Sequence, residues 1–151
     1  MSTMKYLFPL CLLLGACATY PQNQVPYCHA PSQSSALFHA INSHHAYCFI
    51  NGKQHSMDPY LRDGDIVLTR PYYGEPLFPG QIAIYHHNYW FEGLGTTGRT
   101  CHFVLEDNGR AVLFDGIHNE GPPEWVRKDK IDEVVVEIVT FPRPTTNPAK
   151  K

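Results

Sequence analysis

The chemistry this sequence can offer begins in CHFVLEDNGRAVLFD, Cys101 to Asp115, where Asn108-Gly109 separates two apolar runs. Asn-Gly in that setting is the strongest short-range hairpin signal, because both central positions of the favoured turn need positive φ. A two-residue loop makes facing residue numbers sum to 217. Asp107 is then predicted opposite Arg110, Leu105 opposite Val112, Val104 opposite Leu113 and His102 opposite Asp115. Counted outward from the turn, the last pair is of the closer, non-hydrogen-bonded kind, with Cβ atoms about 4.5–5.5 Å apart. An imidazole beside a carboxylate is either a base with its orienting acid or a surface charge pair at the hairpin's open end. A bulge anywhere in the hairpin would break the pairing. A second stretch, QHSMDPYLRDGD (Gln54 to Asp65), sets the exposed-looking Ser56 before Met57 and Pro59 and turns at Gly64, outside any helical pattern.

Nine histidines invite a metal reading. They include the adjacent pairs His44-His45 and His86-His87, and neighbours on a strand point to opposite faces, so the second pair offers one ligand to any one site. No zinc-type spacing occurs along the chain. The expectation is therefore neither metal nor cofactor. Cys101 beside His102 is no better as a Cys–His dyad, since the two side chains diverge on a strand.

The elements that must position these groups are mostly strands. DIVLT, QIAIYHH, CHFVLED, RAVLFD and EVVVEIVTF are short β-branched or alternating runs separated by Gly, Pro and Asn. In SSALFHAINSHHAY, Leu37, Phe38, Ile41 and His45 recur at helical spacing and predict one short helix. Many short strands with such punctuation predict a mainly β domain. No internal repeat is present.

The chain ends stand apart from that domain. YLFPLCLLLGA is apolar for eleven residues, too short for a span of roughly 20 residues but suited to a secretory signal. It runs into Leu14, Gly15, Ala16 and Cys17, which resemble the bacterial lipobox. That resemblance implies removal of residues 1–16 and lipidation of Cys17, giving a lipoprotein held at a membrane. Residues 17–35 are polar and proline-containing and read as a flexible tether. The domain is expected over 36–141, with a disordered tail over 142–151. A formal net charge of −2 suggests no nucleic acid. Lipidation of Cys17 would leave Cys28, Cys48 and Cys101, enough for at most one disulfide whose pairing stays open.

The stretch HSMDPYLRDGDIVLT is similar to the nucleophile box of the type I signal peptidase superfamily, Ser-Met-x-Pro-x-Leu-x-x-Gly-Asp followed by a short apolar strand. Ser56, Met57, Pro59, Leu61, Gly64 and Asp65 occupy its fixed positions. PGQIAIYHH resembles the next strand, with Gln81 at an acidic position. CHFVLEDNGRAVLFDGIHN resembles the segment around the catalytic base and the following Gly-Asp-x-Asn box. WVRKDKIDEVVVEIV resembles the closing strands. The likeness runs from about Phe49 to Phe141 and points to the histidine-base branch, with His102 as base. It implies a signal-peptidase/repressor-protease-like β fold and a serine endopeptidase. Phe103 replaces an arginine, and Ile117 replaces the aspartate of the box, leaving Glu120 or Glu124 if the acid lies further on. Asp115, from the hairpin register, is a separate candidate for the orienting acid.

Under that resemblance Ser56 is the nucleophile, activated by proton transfer to His102. An imidazole with an ordinary pKa of about 6.5 suits that role and can then protonate the leaving amine. A carboxylate on the far ring nitrogen would fix its tautomer. The backbone N–H of Ser56 is the implied oxyanion donor, and the Gln54 side chain is a candidate second. The substrate would be a polypeptide bound as an extended strand, probed from a lipid anchor rather than a transmembrane helix. Ala18, where an aspartate favours inner-membrane retention, leads us to expect the outer membrane, facing the periplasm. The competing expectation is a lipoprotein that keeps the fold, has lost catalysis, and serves as a binding or structural module. Phe103, Ile117 and Gln81 favour it. The repressor-type self-cleaving reading lacks a DNA-binding segment.

Overall fold

A computed structural model describes residues 22–50, 56–87, 98–118 and 121–143. The order is β1 (Tyr27–His29), α1 (Gln33–Asn42), β2 (Ala46–Phe49), β3 (Ile66–Pro71), β4 (Ile82–His87), β5 (Gly98–Asp107), β6 (Ala111–Asp115), β7 (Glu124–Arg127), a 3-10 turn (Lys128–Lys130) and β8 (Ile131–Thr140). The molecule is mainly β, with one short helix near its N-terminal end. Each run predicted as a strand forms one. β1, β2 and β7 are additional, and their three or four residues are too few for alternation to register in the sequence.

The strands form one sheet in the order β2-β3-β8-β4-β5-β6-β7. These neighbours are antiparallel. β8 is β-branched through most of its length and serves three partners. β3 takes one of its edges, while β4 and the parallel β1 share the other. Alternation then sorts the side chains into two main clusters. Met57, Leu61, Val67, Ile82, Ile84, Phe103 and Ile138 meet on one side, and Ala83, Tyr85, Val104, Val112, Phe114 and Val134 on the other. Burying each large apolar side chain contributes about 1.5–3 kcal/mol.

Two sequence expectations need correction here. The segment read as a tether is ordered in part. Val25 is buried in the first cluster, β1 adds to β8, and the Ala30 N–H donates to Thr140 O at 2.9 Å. Backbone hydrogen bonding to an unfilled edge of β8 organises a segment with no apolar periodicity of its own. The helix also turns a different face inward. It begins at the Ser32 cap, whose hydroxyl accepts from Ser35 N–H at 3.2 Å. Ala36 and Ala40 are fully buried, whereas Phe38 and Ile41 are 71% and 60% exposed. Both alanines pack closely against Ile66, Leu68 and Val139, with Leu37 partly buried beside them. His45 lies beyond the helix.

Candidate active site

Ser56 is the first described residue of a turn that the core anchors at two points. Met57 and Leu61 are 5% and 3% exposed, and Met57 O accepts the N–H groups of Tyr60 and Leu61 at 2.9 and 3.0 Å. The Asp58–Pro59 peptide, within this turn, is cis. Gly64 adopts φ +86°, a conformation costly to side-chain-bearing residues. Its N–H donates to Ile50 O at 2.7 Å. Asp65 holds the exit of the turn, accepting from Arg62 N–H at 2.8 Å and from Arg143 at 2.5 Å. Burial raises its carboxyl above the usual range despite both arginines. These motif residues shape the turn.

His102 lies on β5, flanked by β4 and β6. Opposite it on β4 stands Ala83, fully buried, whose single methyl leaves space for the imidazole. Tyr85 follows two residues later on the same face. Its hydroxyl lies 3.2 Å from His102 Nδ1, and its ring, 1% exposed, stacks on Phe114 at 4.6 Å. His102 Nε2 lies 3.3 Å from Ser56 Oγ. That is the long end of hydrogen bonding, a common separation in sites without substrate.

A third strand closes the arrangement. His118 N–H, just past β6, donates to Ser56 O at 3.0 Å. Gly116 lies against both Ser56 and His102. A Cβ there would stand 2.8 Å from Ser56 O, 3.0 Å from Ser56 Cβ and 3.1 Å from His102 Nε2. The absence of a side chain at 116 is what allows the hydroxyl and the imidazole to meet.

The expected pairing of His102 with Asp115 is not made. Asn108 N–H donates to Ala111 O, so the loop is Gly109-Arg110, one residue later than assumed. Leu105 is then an extra residue, and the register slips between Val104 and Glu106. Asp115 consequently faces Phe103 and leaves its strand on the side opposite His102. It is 5% exposed. Of the two glutamates weighed as acids, Glu124 lines the cleft of about 490 Å³ that His102 and Tyr85 border. Glu120, Gln54 and Cys17 lie outside the described residues. Ile117 packs against the first core cluster. Cys28, Cys48 and Cys101 are all unbridged. Burial pushes the Cys101 thiol far up, which keeps it protonated and unsuited to attack.

Sequence reasoning missed Tyr85 and Gly116. Alternation in QIAIYHH could have assigned Tyr85 a core face. Its meeting with His102 depends on the β4–β5 register, which no short turn dictates. The resulting set is a hydroxyl, an imidazole aligned with it, and a buried phenol behind the imidazole. That set can pass a proton from oxygen to nitrogen. No family model, curated protein or solved structure matches the chain.

Proposed function

We propose that the protein is a serine endopeptidase resembling the signal peptidases, tethered to a membrane through a lipid on Cys17. The observation that carries this reading is the 3.3 Å approach of Ser56 Oγ to His102 Nε2 across 46 residues of chain. In the reactive tautomer, His102 Nδ1–H donates to the Tyr85 oxygen and Nε2 accepts the serine proton. Ser56 Oγ attacks the scissile carbonyl carbon as its proton moves to Nε2. The tetrahedral oxyanion collapses, the C–N bond breaks, and the imidazolium gives that proton to the leaving amine. Water then attacks the acyl-serine with His102 again as base, releasing the acid and restoring the hydroxyl. The outer edge of β7, which pairs with no further strand among the described residues, flanks the His102 cleft through Glu124 and Trp125. It offers backbone groups for an extended polypeptide.

A second reading, a binding or structural module of the same fold, is favoured by Ile117, which packs against the first core cluster where the resembled box carries an aspartate. A fluorophosphonate probe applied to cell envelopes separates the two. The enzyme reading expects covalent labelling that is lost in Ser56→Ala and falls at least about 100-fold in rate in His102→Ala, the scale of positioned general-base catalysis. Labelled protein should fractionate with the outer membrane. No labelling of the folded wild-type chain would leave the binding module. Labelled protein confined to inner-membrane fractions would reject the location.

A further inference from the structure

A second cluster of chemically capable side chains lies where β1, α1 and β8 meet. Cys28, His39 and Glu137 each bring one ligand atom within 4.8 Å of the other two. His39 Nε2 stands 3.0 Å from a Glu137 carboxylate oxygen. We propose that these three residues bind a zinc-class divalent cation and clamp the N-terminal strand and helix onto the sheet.

The donor set suits such an ion. Zinc takes thiolate, imidazole and carboxylate at about 2.0–2.3 Å, which places ligand atoms of a tetrahedral site roughly 3.3–3.8 Å apart. To reach that geometry the His39–Glu137 pair opens slightly from 3.0 Å, and the cluster as a whole draws in from its 4.8 Å limit. A thiolate and a carboxylate would also neutralise the double charge, with His39 neutral. Among the described residues the ion-pair partner of Glu137 is His39, and no described lysine or arginine pairs with that carboxylate. A bound cation would favour the Cys28 thiolate. All three residues are partly accessible, leaving a fourth position for water. The residues come from three elements, with His39 and Glu137 separated by 98 positions. A scan for local zinc spacings therefore passes over them.

Cobalt(II) titration of the full-length chain, with the thiols reduced, tests the site. The expected result is a 1:1 complex with tetrahedral d–d bands and a thiolate-to-cobalt charge-transfer band. Cys28→Ser should abolish the charge-transfer band. His39→Gln and Glu137→Gln should each weaken zinc binding by about 100-fold or more, since even outer-shell partners are worth about 10–100-fold. Zinc at a hundredfold excess over its Kd should raise Tm by on the order of 10 °C and shield Cys28 from alkylation. Absence of cobalt bands in folded wild-type protein would overturn the proposal, leaving an ordinary His–Glu ion pair. Bands that survive all three substitutions would overturn it equally, because the metal would then reside elsewhere.

Discussion

At the scale of single residues, Gly116 carries as much of the candidate site as the groups that would react. A methyl there would stand inside contact distance of the Ser56 carbonyl, a backbone atom held in place by His118 N–H. The backbone cannot give way cheaply, so the serine and the imidazole must separate. Gly116→Ala is expected to slow fluorophosphonate labelling of Ser56 by at least about 100-fold, in line with misplacement of about 1 Å in a catalytic group. The thermal transition should stay cooperative. Labelling at the wild-type rate would show that the contact tolerates the methyl. Tyr85 acts in the opposite sense, because its stacked and buried ring holds the imidazole by filling space.

At the scale of elements, the helix shows how tertiary packing overrides a periodic pattern. Leu37, Phe38 and Ile41 made the more hydrophobic stripe, yet Ala36 and Ala40 are the residues fully buried against the sheet, and Leu37 only partly so. A flat sheet surface lets a helix approach closely when its contact residues are small, and Phe38 and Ile41 are then left outside. Ala40→Leu should overpack this interface and cost about 1–3 kcal/mol. Phe38→Ser should change stability by no more than about 0.5 kcal/mol. Urea denaturation of the two variants reads this directly, and the opposite ranking would mean that the helix buries its other face. The hairpin carries a similar lesson. A turn displaced by one residue and one extra residue at Leu105 exchange Asp115 for Gly116 as the neighbour of His102.

At the scale of the whole molecule, Asp107 and Lys128 tie the central hairpin to the 3-10 turn that leads into β8. Their Oδ2 and Nζ atoms are 2.8 Å apart. Burial alone would raise the Asp107 carboxyl, but hydrogen bonds from Lys128 and from the Leu77 and Gly109 N–H groups outweigh it and hold the carboxyl below its usual range. The hydrogen bond to Asp107 is the main influence raising Lys128. The depressed acid contributes stability above its unfolded value of about 4 and loses it as pH falls further. The raised base contributes below about 10.5 and loses it as pH rises beyond. Lys128→Ala is therefore expected to lower stability by up to about 1 kcal/mol between those limits. Its melting temperature should converge with that of wild type in acid, as Tm measured against pH will show. A difference that persists unchanged in acid would assign the loss to packing of the lysine stem.

Much of the architecture was legible in the residues because it is local. β-Branched runs bounded by Gly, Pro and Asn mark β3, β4, β5, β6 and β8, and Gly64 turns the chain with positive φ just before β3. Those features depend on side-chain shape and backbone sterics within a few positions. What neighbours His102, which helix face is buried, and where residues 22–35 go depend on register and on a free sheet edge. These are set by contacts between residues distant in the chain. The sequence alone determined a mainly β domain and the groups able to do chemistry. Only the tertiary structure decided that a phenol and a glycine, and not Asp115, surround the imidazole, because one bulged residue redirects every side chain beyond it.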